Sequence, residues 1–393
     1  MRNITVVGAS LAGLSTCRAL RAMGYDGRVT LIGDEPHRPY DRPPLSKEYL
    51  LGAASPEKIE LLTDQDDALE LDWRLGSSAT RLEVDDLKVV LSNGEKISSD
   101  AVILATGARA RILPATGHLA GVHTLRTLED SNALRETLLR GGHLVVIGAG
   151  FIGAEVASSA RMLGNDVTVV EAMPAPLSAT LGADIGHICA SLHADHGVRL
   201  IAGVGVDRVV GRDTVEAVHL ADGRKLRADA VVVGIGAQPN TDWLSGSVIH
   251  LDNGIRTDSA CRTNVSRVVA VGDCASSYNA HARRYLRVEH WTNALEQPKT
   301  AVAALLRADF SPRPYTRLPY FWSDQYGARL QFAGYRREGD NVRVVEGSPQ
   351  DRSFLAVYER DGDPVAVFGM NHSKQFNRWR HRLRSRYLAQ QSQ

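Results

Sequence analysis

Two short stretches of this 393-residue chain could hold a phosphorylated ligand, and both follow one design. Gly8-Ala9-Ser10-Leu11-Ala12-Gly13 follows the run Ile4-Thr5-Val6-Val7, and Gly148-Ala149-Gly150-Phe151-Ile152-Gly153 follows Leu144-Val145-Val146-Ile147. A β-branched run before a glycine turn predicts a strand. The Ala/Leu-rich pattern after it predicts a helix, ending near Gly24 in the first copy and near Gly164 in the second. The chemistry is pyrophosphate binding. The first glycine permits the tight turn, the second position lets backbone N–H groups approach the ligand, and the third lets helix and strand pack closely. The helix N-terminus then faces the phosphate charge with unpaired N–H groups. Ser10 stands where the second glycine would be, small enough to keep the approach open and with a hydroxyl able to face a phosphate.

Each unit closes with a second strand that ends on acids: Val29-Thr30-Leu31-Ile32 before Asp34 and Glu35, and Val167-Thr168-Val169-Val170 before Glu171. A carboxylate there accepts hydrogen bonds from a ribose, and the sequence leaves open whether Asp34 or Glu35 does so in the first unit. At Glu171 the carboxylate also repels a 2′-phosphate, and Ala172-Met173-Pro174 supplies no arginine to receive one, so NADH is expected over NADPH. Three more buried strands end at the same kind of turn. Ala101-Val102-Ile103-Leu104 runs to Thr106-Gly107, and Ala230-Val231-Val232-Val233 to Gly234-Ile235-Gly236. Val268-Val269-Ala270-Val271 runs to Gly272-Asp273, where Asp273 precedes an Ala/Ser run read as helical. These elements predict an α/β chain with two Rossmann-like dinucleotide-binding domains, in which the chain leaves one fold and later returns to it.

The length allows two or three domains. Hydrophobic residues at 44% with only 6% aromatics indicate an Ala/Val/Gly-rich α/β protein. A formal charge of +1 gives no overall field toward nucleic acid or an acidic membrane, so neither partner is expected. The N-terminus enters a strand directly, without the regions of a signal peptide, and no long apolar stretch follows; the expectation is cytoplasmic. Cys17, Cys189, Cys261 and Cys274 are far apart, with neither CxxC nor CxxxxC spacing, which reads as four small buried hydrophobes and no metal site. After Ser311-Pro312-Arg313-Pro314 the texture changes to Tyr320-Phe321-Trp322, Phe332 and a hairpin arm at Val342-Arg343-Val344-Val345. The basic stretch from Asn377 to Arg386 predicts a helix with a solvated face.

The chain resembles the FAD-dependent ferredoxin reductases of oxygenase and cytochrome P450 electron chains. The resemblance is carried in order by Arg38-Pro39-Tyr40-Asp41-Arg42-Pro43-Pro44-Leu45-Ser46-Lys47, Leu125-Arg126-Thr127-Leu128-Glu129-Asp130, Gly234-Ile235-Gly236-Ala237-Gln238-Pro239-Asn240, Val271-Gly272-Asp273-Cys274-Ala275 and Glu289-His290-Trp291-Thr292-Asn293-Ala294. It implies a glutathione-reductase-like architecture: an FAD-binding domain split over 1–108 and 237–313, an NAD-binding domain over 109–236, and a C-terminal α+β interface domain over 314–393. It also implies FAD on the first fingerprint, NADH on the second, and Lys47 beside the flavin ring, paired with Glu155. A lysine there offsets negative charge developing on the reduced ring. By the same resemblance Arg42 and Arg126 contact FAD phosphates or adenine, Ala79 meets the adenine through its backbone, Asp273 bonds the ribityl chain, and Trp291 meets the flavin's pyrimidine edge.

Glutathione-type reductases carry CxxxxC in the loop that here reads Arg38 to Lys47, and this loop has no cysteine. Without a thiol relay the flavin must pass its electrons on directly, one at a time, to a carrier such as a separate [2Fe–2S] ferredoxin; the chain has no cysteine set for a cluster of its own. Such ferredoxins tend to be acidic, and His281-Ala282-Arg283-Arg284-Tyr285-Leu286-Arg287 offers a basic docking patch. Competing readings are an NADH oxidase and a flavoprotein of the apoptosis-inducing-factor kind that signals through its redox state. A monomer is favoured over a homodimer.

Overall fold

The computed structural model describes residues 1–117, 119–279, 282–307 and 314–389. In the first unit, β1 (Asn3–Val7) leads through the glycine turn into α1 (Leu11–Ala22), and the chain returns as β2 (Arg28–Ile32) beside β1. Gly24, at φ +82°, ends the helix where a side chain would be strained. Leu71–Arg74, Ala101–Leu104 and the distant Val268–Ala270 complete a five-stranded parallel sheet. Its strands other than the edge strand Leu71–Arg74 carry β-branched residues because helices or ribbons cover both faces, and Ile4, Val6, Val29 and Ile103 are at most 1% exposed.

The second unit repeats the first: β3 (His143–Ile147), α2 (Phe151–Met162) and β4 (Asp166–Glu171), in a parallel sheet with Arg199–Ala202, Ala230–Val233 and Val122–His123. Gly164 at φ +85° ends α2. The two crossings between the units run side by side, as Ala108–Ala110 pairs antiparallel with Ala237–Pro239. Back in the first unit, α3 (Trp291–Leu306) packs Ala301, Val302 and Leu305 against Leu14 and Leu20 of α1.

The third layer is an antiparallel sheet of β5 (Tyr320–Gln325), Ala328–Gly334, Asp363–Met370, Ser353–Arg360 and Asn341–Ser348, in that order. The hairpin arm expected at Val342–Val345 lies in its last strand. One face packs on α4 (Ser373–Ala389) through Phe376 and Leu383. The other buries Phe332, Phe354 and Phe368 against Ile185, Cys189 and Leu192 of the second unit. The α/β class and three-part architecture are as expected.

One local expectation is corrected. After Gly272–Cys274, Ala275–Asn279 forms a strand rather than a helix, pairing with Ile255–Thr257 and Arg284–Leu286. Small residues leave the local preference weak, and strand pairing plus the Thr257–Ser277 hydroxyl contact at 2.8 Å decides it. His281 and Ser311-Pro312-Arg313 lie outside the described residues.

Candidate active site

Both fingerprints open on one cavity of about 560 Å³. Its lining includes Ser10, Leu11 and Ala12 from the first turn, and Gly150, Phe151 and Ile152 from the second. Arg42 and Lys47 come from the loop after β2, and Gly107, Gly234 and Gly236 from strand ends. Arg126, Glu155, Asp273 and Trp291 complete the set of expected residues on its wall.

The glycines beneath the turns are fixed by contact. A Cβ on Gly8 would lie 2.1 Å from the Ala105 carbonyl oxygen, and one on Gly13 1.9 Å from that of Gly8. Gly148 and Gly153 repeat this against Gly234 and Gly148, at 2.3 and 2.1 Å. Neither Ser10 nor Gly150 makes a side-chain cap, and neither helix has an acid in its first turn, so both N-termini keep N–H groups for an anion. Three buried nitrogens of wall residues, Nε of Arg126, Nε of Arg287 and Nδ1 of His290, have no partner among the described residues. Two turns that exclude side chains, two free helix N-termini and unspent polar nitrogens fit a pair of dinucleotides, FAD and NADH.

At the strand ends, Asp34 is exposed, whereas Glu35 is partly buried, accepts from Arg42 at 2.5 Å and is bonded by the Tyr40 hydroxyl. Glu171 accepts the Ala149 and Met173 amides on its two oxygens, each at 2.8 Å, which pins the carboxylate against the second turn. Thr106 and Asn240 exchange side-chain-to-backbone hydrogen bonds at 2.7 and 2.9 Å and so lock the crossings together. Ile235 is 39% exposed. Ala79 begins a separate antiparallel strand and is apart from the cavity wall.

Charged pairs cross the cavity wall. Arg126 meets Asp273 at 2.8 Å, and Arg42 also donates to the Arg126 carbonyl at 2.5 Å. Lys47, 13% exposed at its side chain, meets Glu155 of α2, 3% exposed, at 2.8 Å. The Trp291 indole N–H donates to Asp41 at 2.7 Å, and burial pushes that carboxyl up against the opposing pull of the indole and Lys47. Burial pushes the His290 imidazole down to about 4, so it is neutral near pH 7. Its ring lies 5.0 Å from that of Phe321, which in turn packs 4.7 Å from Phe151.

Of the basic patch, Arg283 and Arg284 are exposed, but Arg287 turns inward to Glu289 and the Asp273 carbonyl. It belongs to the cavity and not to a docking rim, because an ion pair and a carbonyl receive it there. Asp41, His290, Phe321, Trp322 and Ser323 were not singled out as site residues from the sequence. The only signal for Phe321 and Trp322 was an aromatic run in an aromatic-poor chain, and Ser323 had none.

The family model for pyridine nucleotide-disulphide oxidoreductases matches residues 2–298, and the reductase C-terminal model matches 320–393. Rhodocoxin reductase of Rhodococcus erythropolis is 39% identical over 355 residues, covering 90% of this chain and 82% of that protein. The biphenyl dioxygenase system ferredoxin–NAD(+) reductase component of Paraburkholderia xenovorans is 36% identical over 377 residues, covering 95% and 91%. The crystal structure of the covalent putidaredoxin reductase–putidaredoxin complex superposes with a TM-score of 0.92 at 34% identity, covering 98% of this chain and 93% of the matched one. With both parts of its length matched in this way, the chain belongs to the pyridine nucleotide-disulphide oxidoreductase family, among its putidaredoxin-reductase-like ferredoxin reductases.

Proposed function

We propose that the protein is an NADH-dependent flavoprotein reductase that delivers electrons to a separate [2Fe–2S] ferredoxin serving an oxygenase or a cytochrome P450. The observation that carries this is the wall of the shared cavity: both glycine turns and the buried Lys47–Glu155 pair line it, and no cysteine is among its lining residues. When bound, FAD takes a hydride from NADH as an electron pair and yields single electrons, so one NADH reduces two ferredoxins and releases one proton.

The chain's residues bind, orient and balance charge. The turn at Gly8–Gly13 and the α1 N-terminus hold the FAD pyrophosphate, with Arg42 and Arg126 beside it and Asp273 toward the ribityl chain. The turn at Gly148–Gly153 holds the NADH pyrophosphate. Glu171 takes the adenosine ribose and disfavours a 2′-phosphate. Lys47, fixed by Glu155, places positive charge where the ring gains negative charge. Phe151, Phe321 and Trp291 present apolar surface that keeps water from the reacting faces. The segments 1–108 and 237–313 form the FAD-binding part, 109–236 the NAD-binding part, and 314–393 the interface domain. Among the described residues no helix is long and apolar enough to cross a membrane, and a cytoplasmic monomer is the form we propose.

Anaerobic stopped-flow absorbance tests this. NADH should bleach the yellow protein far faster than NADPH does, and an oxidised [2Fe–2S] ferredoxin should restore the flavin while becoming reduced. A flavin that only O₂ reoxidises would transfer the assignment to an NADH oxidase; slow turnover with every one-electron acceptor, with stable dimers only in the reduced form, would indicate redox signalling.

A further inference from the structure

Glu155 joins three parts of the chain, taking donors from two of them. It lies on α2 of the second unit; from the loop after β2 in the first unit, Lys47 Nζ reaches its Oε2 at 2.8 Å and Ser46 Oγ at 2.5 Å. From β5 of the C-terminal layer, Ser323 Oγ donates to Oε1 at 2.7 Å and the Asp324 amide at 3.3 Å. Ser323 is 0% exposed and accepts from the Gln325 side-chain amide at 3.0 Å, which turns its hydroxyl hydrogen toward Glu155.

A carboxylate held on one oxygen can swing about its terminal torsion, which has only a broad preference of its own. With two donors on each oxygen, the plane of Glu155 is fixed. Lys47 bonds Glu155 and, at 3.5 Å, Ser46 Oγ, so the ammonium is located largely by this carboxylate. We propose that Ser323 is a positioning residue for flavin reduction, acting through Glu155 on Lys47, so that the C-terminal domain completes the place where NADH meets the flavin. The proposal rests on the functional reading above and deepens it. It gives the C-terminal layer a part in the NADH half-reaction in addition to any contact with a protein partner.

The test compares the wild-type holoenzyme with Ser323→Ala and Gln325→Met. In anaerobic stopped flow across NADH concentrations, Ser323→Ala should lower the saturating rate of flavin bleaching by about three- to tenfold, one net hydrogen bond read as a rate. The NADH dissociation constant should stay as in the wild type. Dithionite-reduced enzyme should reduce a [2Fe–2S] ferredoxin at the wild-type rate. Hydrogen exchange of the 45–47 amides in the holoenzyme should quicken. Gln325→Met, which leaves the serine in place but frees its hydroxyl, should show the same pattern more weakly and decides the matter if Ser323→Ala fails to fold. An unchanged bleaching rate overturns the proposal, as does equal slowing of both half-reactions, the mark of general loosening. A wild-type protein that NADH cannot bleach defeats the functional reading itself, whatever the variants do.

Discussion

The three small positions of the second fingerprint do separable jobs, and Gly150 isolates the one that concerns the ligand. Gly148 adopts φ +99° and Gly153 leaves no room for a Cβ, whereas Gly150 has φ −72° and nothing within 4 Å of where a Cβ would stand. Gly150→Ala therefore places a methyl in open space. Reduced freedom of the unfolded chain stabilises by about 0.4–1 kcal/mol, and exchange of glycine for alanine at a helix N-cap costs a similar amount, so the net change should lie within about 0.5 kcal/mol. Gly153→Ala instead drives a methyl to 2.1 Å from the Gly148 carbonyl oxygen, an overlap worth about 3 kcal/mol or more. Under the proposed function the methyl added by Gly150→Ala stands where the NADH pyrophosphate would approach the α2 amides. Loss of one charge-assisted hydrogen bond there, about 1.5–3 kcal/mol, weakens NADH by about 10- to 150-fold. Thermal unfolding by circular dichroism and NAD(H) affinity by calorimetry read the two effects independently. Unchanged affinity in Gly150→Ala would remove the pyrophosphate from this turn, and a stability loss matching Gly153→Ala would refute the division of roles.

Three further outcomes are expected. Glu171→Arg should raise the ratio of kcat/KM for NADPH over NADH by at least about tenfold, because it exchanges repulsion of a 2′-phosphate for attraction; a constant ratio would take Glu171 away from the ribose. Lys47→Met should slow NADH-driven bleaching by about tenfold or alter the charge-transfer absorbance, and unchanged spectra and rates would exclude Lys47 from the flavin site. Burial pushes the His193 imidazole from 6.5 down to about 4, so between those pH values the unfolded chain binds a proton that the folded one refuses. Stability is thus complete above pH 6.5 and declines as pH falls toward 4, and His193→Gln should flatten that decline in urea titrations at stepped pH.

What the sequence disclosed and what it concealed divide along the range of the interactions. A fingerprint is a local object, since strand, turn and helix lie within about twenty residues and the last glycine of each is required by the carbonyl of the first, Gly13 by Gly8 and Gly153 by Gly148. Lys47 and Glu155 were expected to pair only because a known family pattern joined them; nothing near either residue in the chain announces the other. Ser323 had no such guide. It is 168 residues from the carboxylate it bonds, and a serine in a strand is ordinary until the strand is placed against α2. The Ala/Ser run after Asp273 failed for the same reason, because residues with weak preferences take the structure that their distant partners impose. Arg287, grouped by sequence with surface arginines, turns inward since Glu289 and the Asp273 carbonyl are there to receive it.

The cysteines show how an absence in the sequence acquires physical content. Missing CxxxxC spacing argues only that one known relay is lacking, and a cysteine brought in from elsewhere could still have reached the flavin. All four are buried, and Cys17 and Cys189 lie in the apolar cores of different layers, where burial pushes each thiol up to about 12. Cys274 adjoins Asp273 in sequence, yet its Sγ turns away from the cavity toward the carbonyls of Leu104 and Val271. A thiol that stays protonated and faces a core is a poor nucleophile and has no access to the flavin or to a substrate. The thiol route is closed by position as well as by spacing. Direct transfer from the flavin is the route that the proposed function takes, with the shared cavity and the surfaces around its mouth as the place where a one-electron partner would approach.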